Sequence, residues 1–452
     1  MGRTNAAENT AEKPAVRALP VAGAADRAAG TEAKQSLMPM VCIVAAASGE
    51  AVGGLAAYLR CLAHGLSREG EVSVVARFRR SSHNLSHYDG CERPALIEQD
   101  GYQTRIIAPR PFWRLFLTRL ISLVSRPALQ GAAVAIYQAA YQAAMANAIP
   151  ANTEVVHYIG TGWELLGFAA LAEARKRGAA FTVWPAVHPG TWGDSPLDVS
   201  LYNQANAVFA QSDFERAHLI EQGVEPSRLY RCGLAPATDK EGDGPGFRQR
   251  HGLGQRPMVL FVGRKDRGKG YHALREAMPS VLALLPDACL IAIGPDCEPP
   301  YPDLCETAVL DLGQASEQEK ADALAACDVF CLPSSQEAFG IVYVEAWAYA
   351  KPVVGGPAPA ACELIEDGVT GLHVTQEKED IAAALVRLLS DPEWGRQMGA
   401  NGLKRQQESF TWEHVVETHQ DIFAEVVQQK RSEKQTDTAA VRDSAEWRRS
   451  EA

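Results

Sequence analysis

The sequence of 452 residues lacks any long apolar run: stretches such as residues 40–47 are far shorter than the roughly 20 residues that span a bilayer. It also lacks paired cysteines, because its ten cysteines form neither a C-x-x-C pair nor a Cys/His cluster at zinc spacing. Several of them, such as Cys42, Cys289 and Cys331, lie in apolar runs that suit small buried side chains. We therefore expect a reduced, cytoplasmic protein without a secretory leader.

Positive charge is scarce as well. Lysine and arginine total 44 against 55 aspartates and glutamates, and the resulting net charge of -11 argues against a nucleic-acid-binding protein. No D-x-D pair and no H-E-x-x-H pattern occurs, so we expect no metal site. The glycine-rich stretch SGEAVGG (residues 48–54) does not have G-x-G-x-x-G spacing, which argues against a dinucleotide-dependent oxidoreductase.

The sequence does have the alternation of short apolar runs and amphipathic segments that is typical of parallel α/β folds. A polar, Gly/Pro-rich stretch at 236–246 separates two such halves. This pattern predicts two Rossmann-like, doubly wound domains that face each other across a cleft. We assign 1–36 to a disordered tail, 37–240 and 241–410 to the two domains, 411–427 to a helix that packs back on the first domain, and 428–452 to a second disordered tail.

Two motifs in the second half carry residue types suited to a diphosphate. VGRKDRGKG places Gly263, Arg264 and Lys269 directly after a predicted buried strand. Arginine offers a planar fork of donors and lysine a mobile point charge, and both bind phosphate oxygens. An ordinary solvated basic turn would have a similar sequence, so this motif alone leaves both interpretations open.

The second motif is PSSQEAFGIVYVEAWAYAKPVV, in which seven residues separate Glu337 from Glu345. A predicted strand precedes it, so Glu337 lies in the loop after that strand and Glu345 about one turn into the following helix. The amino end of this helix offers free N–H groups to phosphate oxygens. The alternative is that Glu345 offsets the helix dipole and Glu337 caps the loop, which accounts for each glutamate separately.

Taken in order over residues 258–374, VGRKDRGKG, PSSQEAFGIVYVEAWAYAKPVV and EDGVTGLHV resemble the GT-B retaining glycosyltransferases of family 4, also called glycosyl transferases group 1. The resemblance implies that Arg264 and Lys269 hold the diphosphate of a nucleotide-sugar donor. It implies that Glu345 binds the ribose hydroxyls, and that Glu337 contacts the donor sugar and the distal phosphate. Residues 311–318 would pack the base. The implied donor-binding set is completed by Gly263, Leu312, Gly313, Phe339, Gly340 and Ile341.

The first half resembles the family less closely. Gly53 and Gly54 would let a helix amino end approach the diphosphate or an anionic acceptor. His157 matches the first histidine of the family's H-x-H element, but Ile159 stands where the second is expected. His188, at the end of the next predicted strand, is an equal candidate for the acceptor side. For both histidines the alternative is a hydrogen-bonded strand-end residue.

The segment 105–126 contains five arginines and lies in a stretch (101–153) without any acidic residue, interleaved with Phe112, Trp113 and Phe116. Such a basic aromatic segment is typical of a helix at a membrane surface, and we expect either a peripheral contact with the inner membrane face or an ordinary surface helix.

The resemblance implies a metal-independent hexosyltransferase that uses a UDP- or GDP-sugar as substrate and no cofactor. The acceptor is a glycan, a lipid or a small molecule. The alternatives on the same scaffold are a nucleotide-sugar epimerase or a sugar phosphorylase, and a third is a non-catalytic nucleotide-sugar binding protein.

Overall fold

The computed structural model describes residues 38–51, 54–80, 88–99, 101–185, 187–236 and 240–450. Its described part forms two sheets with helices around them. The strands are β1 (Val41–Ala47), β2 (Val72–Phe78), β3 (Ala95–Gln99), β4 (Tyr102–Ile106), β5 (Val155–Ile159), β6 (Ala180–Trp184), β7 (Ala207–Ala210), β8 (Leu229–Arg231), β9 (Met258–Val262), β10 (Cys289–Ile293), β11 (Val309–Asp311), β12 (Val329–Leu332), β13 (Val353–Gly355) and β14 (Gly371–His373).

The helices follow the strands and cover the sheets. They are α1 (Gly54–Ser67), α2 (Arg114–Leu117), α3 (Leu120–Val124), α4 (Gln130–Ala148), α5 (Leu166–Arg177), α6 (Pro196–Tyr202), α7 (Asp213–Glu221), α8 (Gly244–Arg250), α9 (Tyr271–Leu284), α10 (Glu317–Ala326), α11 (Ile341–Ala348), α12 (Pro359–Leu364), α13 (Lys378–Ser390), α14 (Pro392–Ser409) and α15 (Trp412–Ser450). None of these helices is both long enough and apolar enough over its described residues to cross a membrane.

The first sheet has eight strands in the order β3-β4-β2-β1-β5-β6-β7-β8. All neighbours pair in parallel except β3 and β4, which pair antiparallel at one edge. The central strand β1 is buried and pairs Val41 with both Val72 of β2 and Val155 of β5. Fully buried runs of apolar residues are what parallel strands covered on both faces require.

The second sheet has six strands in the order β11-β10-β9-β12-β13-β14, all parallel. Each half therefore winds outward from its first strand, returns, and continues on the other side of that strand. This doubly wound pattern in two sheets matches the architecture that the sequence predicts.

The end of the chain returns to the first half through α15, which packs against α1. The hydroxyl of Tyr58 on α1 lies 2.8 Å from Nε2 of His419 on α15, and the Tyr58 ring stacks on Trp184 with centroids 4.0 Å apart. The helix also runs on through residues 428–450, which the sequence led us to assign to a disordered tail. Its hydrophilic composition hides this continuity, because nothing in residues 428–450 has the apolar periodicity of a packed helix.

Candidate active site

The order of the second sheet reverses between β9 and β12, which are adjacent although three strands apart in the chain numbering. In doubly wound sheets the crevice beyond the carboxyl ends of two such strands is where ligands bind. Arg264 and Lys269 lie in the loop after β9, and Glu337 lies in the loop after β12. The two motifs identified in the sequence therefore meet at this crevice.

The backbones of the two loops are joined directly. The N–H of Ser335 donates to the carbonyl of Gly268 at 2.9 Å, and Nε2 of Gln376 donates to the carbonyl of Pro333 at 2.7 Å. Gly270 has φ of +74°, and a Cβ at this position would collide with the backbone of Pro333. A side chain at residue 270 would push the loops apart, so glycine is required for their close approach.

Charged side chains converge where the loops meet. Nζ of Lys269 donates to Oε1 of Glu337 at 2.7 Å, which fixes both side chains. Asp266 accepts Nε of Arg264 at 3.0 Å and the N–H of Lys269 at 2.7 Å. Arg264 remains 62% exposed, so its guanidinium is available to an anion, whereas Glu337 is buried.

Glu345 is buried inside α11 and its charge is neutralised by a lysine that sequence analysis missed. Nζ of Lys320 on α10 donates to Oε1 of Glu345 at 3.0 Å and lies 2.9 Å from the carboxylate of Glu317. Burial pulls the pKa of Lys320 down, but the carboxylates of Glu345 and Glu317 outweigh that effect and leave the pKa above its ordinary value. Lys320 therefore keeps its charge and orients Glu345.

The remaining residues of the implied donor set surround the same crevice. Gly340, with φ of +89°, is the N-cap of α11, and the first residue of that helix is Ile341. Phe339 is buried against Phe410, with ring centroids 5.7 Å apart. Gly263, Leu312 and Gly313 follow strands β9 and β11, so they lie at the same carboxyl edge of the sheet.

Lys265, the neighbour of Arg264, was also missed. Its side chain is fully buried, and its Nζ lies 2.5 and 2.6 Å from the two carboxylate oxygens of Asp311 and 2.9 Å from Asp296. No sequence pattern indicated that Arg264 is exposed whereas Lys265, the next residue, is buried against two aspartates.

The acceptor-side candidates in the first half are less closely grouped. Gly54 is the exposed first residue of α1, while Gly53 lies outside the described residues. The loop before them is tied to the end of β2, because Oγ of Ser48 donates to the carbonyl of Arg79 at 2.8 Å and Arg79 pairs with Glu50 at 2.6 Å.

His157 is the middle residue of β5, whereas the sequence led us to expect it at the strand end. It is fully buried, its Nδ1 lies 2.9 Å from Oγ1 of Thr182, and its ring packs against His419 and Phe423. Burial holds the pKa of His157 well below its ordinary range. The strand extends two residues beyond His157, because Tyr158 and Ile159 continue its pairing with β6.

His188 lies in the loop after β6 and is half-buried. Its backbone N–H donates to the carbonyl of Trp192 at 2.9 Å, which closes a tight turn. Oδ2 of Asp194 lies 3.1 Å from Nε2 of His218 on α7 and accepts the N–H of Gly190 at 2.6 Å. Asp194 thus pairs with His218, a residue that sequence reasoning did not single out.

The two halves contact each other beside the crevice. Oγ of Ser212 donates to the carbonyl of Ala338 at 3.4 Å, next to Glu337. The carboxylate of Glu363 on α12 accepts the N–H groups of Asp213 and Phe214 at 3.0 and 2.9 Å. These N–H groups are the free donors at the amino end of α7, so a side chain from one half caps a helix of the other.

Among the described residues, no group of three or more His, Cys, Asp or Glu side chains is arranged to hold a metal ion. Two doubly wound sheets in one chain are the architecture of the GT-B class of fold. Paired basic and acidic side chains lie at the switch point of the second sheet. Residues 245–405 match the family described as glycosyl transferases group 1. The resemblance seen in the motifs is confirmed.

Comparisons with individual proteins agree with this match. The chain is 28% identical over 380 residues to a GDP-mannose-dependent alpha-(1-6)-phosphatidylinositol monomannoside mannosyltransferase of Mycolicibacterium smegmatis. The match covers 80% of this chain and 92% of that protein. The sucrose-phosphate synthase of Thermosynechococcus elongatus superposes with a TM-score of 0.63 at 21% identity, over 88% of this chain and all of the other. Anabaena HepE in complex with UDP has a TM-score of 0.63 at 18% identity, over 85% of this chain and all of that one. These structures have the GT-B fold, which confirms the predicted fold class.

Proposed function

We propose that this glycosyltransferase is a retaining, metal-independent hexosyltransferase that takes its sugar from a UDP- or GDP-linked donor. The observation that carries the proposal is the arrangement of Arg264, Lys269 and Glu337 on two loops that meet at the switch point between β9 and β12. A cation pair beside the amino end of α11 suits a leaving diphosphate. Neither an epimerase nor a phosphorylase is favoured by a feature of this site.

In the proposed reaction the bond between C1 of the sugar and the diphosphate oxygen breaks as an acceptor oxygen bonds to C1 from the same face. Arg264, Lys269 and the N–H groups at the start of α11 stabilise the negative charge that develops on the diphosphate. The acceptor's proton passes to the departing phosphate oxygen. Glu337 holds Lys269 in place, and Glu345 accepts hydrogen bonds from the ribose hydroxyls while Lys320 orients it.

The first experiment identifies the nucleotide of the sugar donor. The mannosyltransferase relative is named for GDP-mannose and the HepE structure contains UDP, so both nucleotides are candidates here. Thermal unfolding with UDP-, GDP-, ADP- and dTDP-sugars identifies the donor, because a ligand that binds only the folded state stabilises it by about 2.7 kcal/mol at 100 times its Kd. A chain that none of these sugars stabilises would contradict the proposal.

Transfer assays then test the roles of the residues. Arg264→Ala and Lys269→Ala should each lower kcat/KM by about 100-fold or more, the cost of losing one donor to a developing anion. Lys404→Ala is the control, since Lys404 is 76% exposed and lies 3.9 Å from Glu408 of the same helix, α14. Wild-type rates in both site variants would contradict the assignment. The anomeric configuration of the product, read by proton NMR, tests retention, and transfer in excess EDTA tests metal independence.

We also propose that the segment 105–126 contacts an anionic lipid surface while the acceptor is bound. It is not one helix: residues 105–106 end strand β4, and the short helical turns that follow include α2 and α3. Leu115 is 77% exposed, Phe112 and Phe116 are more than half exposed, and the five arginines of the segment are all exposed. Exposed aromatic and aliphatic side chains among cations are suited to anionic headgroups and the acyl boundary beneath them.

Co-sedimentation with vesicles of phosphatidylglycerol and phosphatidylcholine tests this contact. The wild type should pellet with the anionic mixture and not with phosphatidylcholine alone. Leu115→Ser combined with Phe116→Ser should reduce pelleting, whereas Leu284→Ser, which changes an exposed leucine on α9, should not. Equal pelleting of all three proteins would show that the segment is an ordinary surface.

A further inference from the structure

We infer that Lys265 is a positioning residue that couples the diphosphate clamp to the loop facing the nucleotide base, and so determines how strictly the site selects the base. This inference rests on the proposed function. The relevant feature is an ion cluster in which the buried ammonium of Lys265, the residue next to Arg264, contacts the partly exposed carboxylates of Asp296 and Asp311.

The ammonium group of Lys265 connects three strand ends. Lys265 follows β9, Asp296 follows β10 and Asp311 is the last residue of β11. Nζ lies 2.5 and 2.6 Å from the oxygens of Asp311 and 2.9 Å from Oδ1 of Asp296. Both carboxylates thus take their counter-ion from the same lysine, and without it they would repel each other.

The backbone of Lys265 strengthens the same connection. Its N–H donates to the carbonyl of Pro295 at 3.0 Å, and its carbonyl accepts the hydroxyl of Tyr301 at 3.0 Å. Lys265 is therefore held on the segment 295–301 through its backbone and on β11 through its side chain. Movement of this residue moves Arg264, which is bonded to it covalently.

Asp311 passes the constraint on to the loop expected to face the base. Its Oδ1 accepts the N–H of Gly313 at 2.9 Å, and the carbonyl of Gly313 accepts the N–H of Gly294 at 2.7 Å. Leu312 and Gly313 are thus fixed relative to Arg264 through one chain of contacts: Lys265, Asp311, Gly313. A rigid distance between a phosphate anchor and a base loop is what allows a site to discriminate between bases of different size.

Stability alone does not account for a fully buried lysine here. Removing an ammonium group from water costs several kcal/mol, and attraction to Asp296 and Asp311 is weakened by solvent because these carboxylates are 59% and 35% exposed. The loops it joins are the ones that carry the proposed diphosphate and base contacts. The effect of this arrangement is therefore to fix the geometry of the proposed donor site.

The test compares affinities for UDP, GDP, ADP and dTDP, measured by isothermal titration calorimetry on the full chain. The wild type should prefer its best nucleotide over its worst by about 10-fold or more, which corresponds to about 1.4 kcal/mol. Lys265→Met should reduce this ratio to about 3-fold or less, because the base loop is no longer fixed relative to the clamp.

Two controls test whether a change in the affinity ratio is specific to Lys265. Arg264→Ala removes one positive charge from the adjacent residue, and it should weaken all four nucleotides by a similar factor and leave the ratio unchanged. Lys404→Met disrupts an exposed ion pair within α14 and should leave affinities and ratio as in the wild type. Asp311→Ala serves where Lys265→Met does not fold: Lys265 then keeps Asp296 as its partner while the contacts of residue 311 with Lys265 and Gly313 are lost, and the ratio should also fall.

Each outcome separates the inference from the proposed function. If the wild type binds none of the nucleotides, the proposed function fails. If it binds them without preference, or if Lys265→Met folds and keeps the wild-type ratio within about 2-fold, equivalent to about 0.4 kcal/mol, the inference is overturned while the proposed function stands. A uniform loss of affinity in Lys265→Met with an unchanged ratio would show a merely structural role and also overturn it.

Discussion

Glu345 is a carboxylate that only the folded structure explains. In the sequence it lies in an apolar helix, and a ligand hydroxyl is the partner that comes to mind. In the structure it already has a partner, because Lys320 donates to its Oε1 at 3.0 Å from the neighbouring helix α10. The ammonium of Lys320 offsets part of the cost of burying this carboxylate, which is 1% exposed. The proposed contact of Glu345 with the ribose therefore depends on a residue 25 positions away in the chain.

This pairing predicts a separation of stability and activity. Glu345→Ala leaves Lys320 largely buried with only Glu317 nearby, and should lower the free energy of unfolding by about 3 kcal/mol as well as donor turnover. The double variant Lys320→Met/Glu345→Leu removes both charges and should recover most of that stability without recovering turnover. Urea denaturation and a transfer assay measure the two effects. Recovered turnover in the double variant would show that Glu345 has no role beyond stability.

At the scale of elements, helix α7 depends on both halves of the molecule. Its N-cap is Ser212, whose Oγ accepts the N–H of Glu215 at 3.0 Å and donates to Ala338 across the crevice. Glu363 of α12 takes the next two N–H groups, of Asp213 and Phe214. A helix end capped from the other half fixes the approach of the two sheets as well as the helix itself.

Glu363→Ala should therefore affect both stability and transfer. We expect a loss of about 1 kcal/mol in the free energy of unfolding, the usual effect of removing a cap, together with a lower kcat/KM for the donor because the halves are held less firmly. Asp391→Ala is the matched control: Asp391 caps α14 through the N–H of Trp394 and makes no such contact between halves. If the two variants lose stability equally and keep equal transfer rates, the contact between the halves has no part in transfer.

The elements also show what sequence could predict and why the rest was out of reach. The strands β9 and β12 are continuous apolar runs, the first followed by GRK and the second by PSSQE, so both loops of the proposed donor site were readable from local pattern. The pair of β3 and β4 was not, because β3 is largely exposed and neither strand is a continuous apolar run. The burial of Lys265 and the position of His157 depend on pairing between distant strands, which periodicity does not encode.

At the scale of the whole molecule, buried titratable groups make stability depend on pH in two opposing ways. Burial lowers the pKa of His419 from 6.5 to about 4, so its stabilising contribution is complete above pH 6.5 and is lost as the pH falls toward 4. Burial raises the pKa of Glu164 and of Glu215 from 4.5 to about 7. Between these values the folded state holds more protons on these glutamates than the unfolded state, so their contribution is lost as the pH rises.

Glu215 allows the second effect to be isolated. Its carboxyl accepts the N–H groups of Gln211 and Val187, both at 2.6 Å, and a glutamine could keep one of these bonds without an ionisable group. Between pH 4.5 and 7 the wild type should lose about 3 kcal/mol through this residue, at about 1.4 kcal/mol for each unit of pKa shift. Glu215→Gln should remove that loss, so that its free energy of unfolding rises more steeply with pH than that of the wild type. Urea denaturation at half-unit intervals, with Glu417→Gln on the exposed face of α15 as the control, measures the difference. Parallel curves for Glu215→Gln and the wild type would mean that Glu215 titrates alike in the folded and unfolded chain, despite its burial.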